Sequence, residues 1–251
     1  MEMIHIATLI HDDVIDNAST RRGRPTASSV FGNTPAILSG DVLLSKAMSI
    51  LAQDGDIDII RTVSAAVVEL AEGEVRELEC RGRFDLSEEE HFEILRMKTA
   101  SFIQSCCAVG ARLAGAEDVI IETLGSYGYH IGMAFQIVDD LLDYRGNPST
   151  TGKPLATDFR EGCPTLPLIR LRSSLGLDRL MELETLFGNG VTDQGIADIC
   201  EEMRAMGAFE HAEQVARRHV MQAKDSLQLL PQSNSRMLLE TAAEYVLARD
   251  S

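Results

Sequence analysis

Apolar residues recur three and four positions apart along almost the whole chain, as in Val63, Ala66, Val67, Leu70 and Ala71, followed by Val75 and Leu78. That spacing gathers them on one face of a helix with 3.6 residues per turn, and no stretch shows the convincing period-2 alternation of a strand. The fold class is therefore expected to be all-α. Helices are predicted over about 1–17, 35–53, 56–81, 88–114 and 117–144, and shorter ones over about 165–175, 178–187, 193–206, 208–229 and 233–248. Thr34 before Pro35 reads as a helix start, and Ser87 with Glu90 three residues on reads as a capping box. Asp54-Gly55, Gly82 and Gly115 break the repeat, and Pro231 parts the last two helices.

Two segments resist the pattern. Residues 18–34 and 145–164 are polar and rich in Gly, Pro, Ser, Thr and Arg, and each directly follows a cluster of aspartates. Met1 to Ile10 is already a helical apolar run with no capping residue ahead of it, so the chain is expected to begin inside a helix. With no linker, repeat or low-complexity tract, 1–251 is expected to form one domain.

Charge narrows the function. A formal net charge of −16 repels phosphate backbones and argues against nucleic-acid binding. A phosphate-bearing substrate would need a bound cation and a few placed Lys and Arg residues to reverse that field locally. No run approaches the roughly 20 uninterrupted apolar residues of a membrane span, and the start lacks the basic-then-apolar order of a signal peptide. A cytoplasmic protein without stable membrane insertion is expected. Five cysteines without paired spacing suggest buried free thiols, not a disulfide framework or a zinc site.

The aspartate clusters carry the chemistry. Asp12, Asp13 and Asp16 close the first helix and Asp139, Asp140 and Asp143 the fifth, both as Asp-Asp-x-x-Asp. Positions i and i+4 share a helical face, so Asp12 with Asp16 and Asp139 with Asp143 each present two carboxylates to one side. A single such motif in so acidic a chain reads as a solvated helix end. Two copies, each preceded by residues that look core-facing (Ile4, Ile6, Leu9 and Ile10; Phe135, Ile137 and Val138), point instead to paired sites for a hard cation. Magnesium is typically held by one or two carboxylates plus substrate phosphates, so two facing clusters could clamp a diphosphate.

Basic and polar residues follow the same distribution. Arg21-Arg22 sits in the loop after the first cluster, where guanidinium forks can meet phosphate oxygens. Lys98-Thr99 lies mid-helix on an apolar face, where a snorkelling lysine is the alternative, and Lys153 follows the second cluster. Gln136 lies one turn before Asp139 and His5 about two turns before Asp12, where a satisfied core histidine is the alternative.

The segments His5–Asp16, Arg21–Thr26, Gly40-Asp41, Lys98–Ala100, Phe135–Asp143 and Thr165–Pro167, in that order, resemble the trans-type polyprenyl diphosphate synthase family. The resemblance implies the isoprenoid synthase fold, a helical bundle around a deep central cavity, usually as a homodimer. It implies a magnesium-dependent prenyltransferase that condenses isopentenyl diphosphate with an allylic diphosphate. By position, Asp12, Asp16 and Asp139 would ligate Mg2+, with Asp13, Asp140 and Asp143 in support. Arg21, Lys98, Thr99, Gln136 and Lys153 would hold the allylic diphosphate, and His5 and Arg22 isopentenyl diphosphate. Ionisation of the allylic diphosphate would be followed by attack of the isopentenyl double bond and loss of a proton, under loops 18–34 and 145–164 acting as lids.

Two departures from the family stand out: its opening helices have no counterpart here, and it usually has a lysine where Cys163 stands. They favour a non-catalytic or inactive partner subunit as the rival reading. A terpene cyclase is a second rival, but its second metal motif mixes Asn, Ser or Thr with Glu. Ala7 and Thr8, small residues about a turn before Asp12, leave open the path of a growing tail and predict a long product, whereas a farnesyl or geranylgeranyl diphosphate synthase would place aromatic rings there.

Overall fold

The apolar repeat becomes a helix at nearly every place it predicts one in the computed structural model, which describes residues 1–146 and 155–249. The chain packs as two units, Met1–Val67 and Val68–Ser251.

In the first unit, α1 (Glu2–Ile15) packs along α3 (Asn33–Asp54), with Ile4 and Ala7 of one and Ala36 and Ala47 of the other buried. Alanine at three of those four positions lets the helices approach closely. Ile6, expected in the core, is 39% exposed. Residues 18–34 hold more structure than the sequence suggests. Thr20–Arg21 (β1) pairs antiparallel with Arg24–Pro25 (β2) around Arg22 and Gly23, both at positive φ. A two-residue hairpin turn of the primed type requires that conformation, and strands this short give no alternation to read. Thr26 then caps the short α2 (Ala27–Phe31), accepting from the Ser29 amide at 3.2 Å and donating to Ala18 O at 2.7 Å. Thr34 is not a cap, because α3 starts at Asn33 with Gly32 ahead of it, while Pro35 sits in the first turn, where its missing N–H costs no bond. Among the described residues, α3 alone is long and apolar enough to cross a membrane by length and composition, although it carries Asp41 and Lys46. Its Leu38, Val42 and Ile50 are exposed.

In the second unit α7 (Asp118–Arg145) is the central element, lying against α6 (Ser101–Leu113) and α12 (Ala208–Ser226). Ile137, Val138, Leu141 and Tyr144 bury one side of it among Leu168, Phe209 and Ala216. Residues 88–114, expected as one helix, are three pieces: α5 (Glu88–Leu95), a π-helical turn (Arg96–Ala100) and α6. Neighbouring backbones press on that turn. A Cβ at Gly132 of α7 would lie 2.5 Å from the Ala100 Cα, and one at Gly73 of α4 (Ile57–Cys80) 2.9 Å from the Lys98 amide. The capping box is present in both directions, with Glu90 N to Ser87 Oγ at 3.2 Å and Ser87 N to Glu90 Oε2 at 3.0 Å. Val75 and Leu78 of α4 are exposed, so its apolar stripe is wider than its buried face.

The shorter helices are α8 (Thr157–Glu161), α9 (Leu166–Arg172), α10 (Leu177–Leu186), α11 (Asp193–Ala205) and α13 (Asn234–Leu247). Helix α8 lies inside a segment expected to be loop, and α12 tightens into a 3₁₀ turn over Leu227–Leu229 before its predicted end. Cys80 and Cys200 are buried thiols, whereas Cys106, Cys107 and Cys163 are only half-buried.

Candidate active site

The first cluster ends α1, where the helix leaves its packed stretch and turns into the hairpin. Asp13 is buried and accepts from Arg21 Nε at 2.7 Å, so β1 returns a cation to the middle aspartate. Asp12 is half-buried and Asp16, the C-terminal cap of α1, is exposed. Arg22 is exposed at the hairpin turn. His5, half-buried two turns earlier, has its carbonyl bonded by the Thr8 hydroxyl at 2.8 Å. A residue not singled out from the sequence lies between them: His11 Nε2 donates to Ile37 O at 3.1 Å and stands 3.4 Å from Asp41. Gly40 makes that seat possible, because a Cβ there would fall 2.3 Å from His11 Nε2. The Gly40-Asp41 pair was the available signal.

The second cluster ends α7. Asp139 is exposed, and Arg249 Nη2 reaches it at 3.4 Å. Asp140 is buried against His91 Nε2 at 2.9 Å, both side chains almost sealed from solvent. Asp143 takes the backbone N–H groups of Thr157 and Asp158, each at 3.1 Å, and so anchors the start of α8. Lys98 in the π turn is held by Glu77 and, at 3.3 Å, by Glu74 of α4. Thr99 donates to Gln136 Oε1 at 3.1 Å, bringing together two predicted residues 37 positions apart. Lys153 lies outside the described residues.

Lys98, Gln136, Asp139, His91, Asp158 and Cys163 line a cavity of about 200 Å³. Its electrostatics are dominated by carboxylates. Burial pushes the Asp158 carboxyl well above its ordinary range, and Asp143, Asp140, Glu77 and Asp139 push it further. Burial also raises the Cys163 thiol to about 12, next to the guanidinium of Arg81. Such a cavity takes a diphosphate only with a cation to screen the acids. Asp13, Asp140 and Asp143 are engaged in holding Arg21, His91 and the start of α8, while Asp12 is half-buried and Asp16 and Asp139 are exposed. Among the described residues no three His, Cys, Asp or Glu side chains are gathered into a cage.

The model of the family described as polyprenyl synthetase matches residues 1–203. The chain is 35% identical over its whole length to a short chain isoprenyl diphosphate synthase of Methanothermobacter thermautotrophicus, covering 78% of that protein. It is 33% identical over its whole length to heptaprenyl diphosphate synthase component 2 of Geobacillus stearothermophilus, covering 77% of it. Among solved structures, polyprenyl synthase from Caulobacter crescentus, complexed with calcium and isoprenyl diphosphate, superposes with a TM-score of 0.93 at 33% identity, over 100% of this chain and 76% of that one.

Proposed function

This chain is a prenyltransferase of the polyprenyl synthetase family, and from that premise we propose that it uses magnesium to condense isopentenyl diphosphate with an allylic diphosphate into a long all-trans product. The observation that carries the proposal is a repeated pattern within Asp-Asp-x-x-Asp: in both clusters the middle aspartate is buried against a partner while the first is the more exposed of the two.

Asp12, Asp16 and Asp139 would hold Mg2+, which supplies charge to stabilise the departing diphosphate. Asp13, Asp140 and Asp143 set the positions of the loop, the wall and the helix around it. Arg21 spends Nε on Asp13 and presents the rest of its fork to the allylic diphosphate. Lys98, Thr99, Gln136 and Lys153 complete that contact, and in this reading Glu74 and Glu77 release Lys98 when phosphate arrives. His5 and Arg22 receive isopentenyl diphosphate. Support for the metal and the ligand comes from the Caulobacter relative, crystallised with calcium and isoprenyl diphosphate.

Chain length rests on α1, since the relatives named above include a short-chain enzyme and a heptaprenyl one. Ala7 is buried and Thr8 half-buried, so the positions four and five residues before Asp12 carry small side chains, and Ile4 is the next large buried residue upstream of them. Ala7→Phe should shorten the products distinctly, once folding has been checked, and an unchanged length distribution would reject the role of Ala7. The exposed Leu38, Val42 and Ile50 of α3 suit a homodimer contact. The Geobacillus relative, being a component, gives weight to a different second subunit. Purified protein incubated with farnesyl diphosphate, isopentenyl diphosphate and magnesium tests the whole reading by the prenyl diphosphates it forms. No condensation in magnesium would favour a non-catalytic partner subunit.

A further inference from the structure

A second, smaller cavity of about 100 Å³ opens on the other side of α7, walled by Leu141, Leu142 and Leu247 and by three arginines, Arg145, Arg217 and Arg249. In a chain of net charge −16, three guanidiniums gathered around one small space need an explanation. Glu213, also in the wall, accounts for one of them: it pairs with Arg145, whose guanidinium stacks 5.0 Å over the Phe209 ring. Arg217 is exposed and has no ion-pair partner among the described residues. Arg249 is the informative one. Its side chain is only 16% exposed and stacked 4.2 Å over the Phe135 ring, and Nη2 makes a long contact of 3.4 Å to Asp139. Its Nη1 is buried with no hydrogen-bond partner among the described residues. A buried guanidinium N–H is rarely left unsatisfied, because its desolvation is not returned by any bond.

The geometry points to an oxyanion site in this cavity, distinct from the catalytic one, that takes a single tetrahedral phosphate between Arg249 and Arg217. Three features favour that ligand. Arginine forks match phosphate oxygens in bidentate fashion and need little reordering when already stacked on an aromatic ring. The wall carries a surplus of positive charge, three arginines against one glutamate. The volume is that of about three water molecules, enough for one phosphate group and too small for a prenyl diphosphate. Because Arg249 also touches Asp139, an anion that recruits its fork competes with that contact, so occupancy would be felt at the second aspartate cluster.

Calorimetric titration of the metal-free full chain with inorganic phosphate tests the site. Wild type and Lys98→Gln should bind phosphate alike, whereas Arg217→Gln and Arg249→Gln should each weaken binding at least tenfold, with Arg217→Lys in between. Circular dichroism checks that each variant folds, and Arg217, being on the surface, is the safe substitution. A separate titration with inorganic diphosphate in the presence of magnesium distinguishes the two sites, because its binding should fall in Lys98→Gln and not in Arg217→Gln. The inference is overturned if wild type shows no saturable phosphate binding, or if affinity survives both arginine substitutions.

Discussion

The two aspartate clusters share one sequence pattern and are held in different ways. The first is supported locally: Arg21, eight residues past Asp13, returns on a two-residue hairpin and remains partly in water, its side chain 38% exposed. The second is supported from afar, since His91 comes from a helix 49 residues earlier and is sealed with Asp140, while Asp143 holds the start of the next helix. A permanent cation that stays partly in water can reach a buried carboxylate from its solvent side. A sealed carboxylate needs a partner placed by the packing of the whole unit. One repeated motif therefore teaches that spacing specifies which carboxylates point outward, and context specifies how firmly the motif is held.

The largest expected effect tests what the clusters share. Asp12→Ala and Asp139→Ala should each lower kcat/KM at least a hundredfold, about 2.7 kcal/mol of transition-state stabilisation. Near wild-type turnover in magnesium by either folded variant would remove that residue from the metal site.

Next comes the difference in support. His91→Leu leaves Asp140 sealed without its partner and should cost roughly 2–3 kcal/mol of stability. Arg21→Leu also strands a buried carboxylate, but one whose partner is 38% exposed and whose place water can take, so it should cost less, about 1 kcal/mol. Urea unfolding of the two variants gives both numbers, and equal losses would erase the distinction drawn between the clusters.

A smaller effect is expected where a third contact steadies the first cluster. Gly40→Ala pushes a methyl group into His11, which can swing outward at the loss of its bond to Ile37, so about 1 kcal/mol is expected. Thermal unfolding should register a shift of roughly 2–4 °C.

The smallest effect separates the second unit from the first by pH. His130 and His219 meet Nδ1 to Nδ1 at 3.0 Å between α7 and α12, and burial lowers the pKa of both, His219 to about 4. The folded pair takes up protons at lower pH than unfolded histidines, which protonate below about 6.5, so stability is lost as pH falls from there towards the lowered value of about 4 for His219. His219 is half-buried, and the water reaching it limits the loss to about 1 kcal/mol. His219→Gln should flatten the dependence of Tm on pH in that window, and an unchanged slope would show that other groups carry it.

Most helices were legible because their apolar faces repeat with the right period over many residues, as along α4 and α7. The π turn was not, since Arg96–Ala100 keeps ordinary helix-forming residues and is widened by glycines on two other helices, Gly73 and Gly132. The hairpin at 20–25 was missed because two-residue strands have no period. The first cluster's Arg21 could be paired with its acids from proximity in the chain, and Asp13 could not be told from Asp12 until burial was known. His91, Glu77, Asp158 and Arg249 gave no signal at all, because each reaches the second cluster or its cavity only through tertiary packing.

The π turn also bears on how this chain can change over time. A π turn amounts to one residue inserted into an α-helix. Removing any one of Arg96–Ala100 would restore a regular helix and satisfy local preference, yet it would rotate all of α6 by about 100° relative to α5. Ala100 would leave the notch at Gly132, and Thr99 would lose Gln136. A lineage that carries this insertion can therefore alter the length of the turn only by giving up this way of presenting Lys98 and Thr99, and an alignment gap inside 96–100 would mark a protein that had done so.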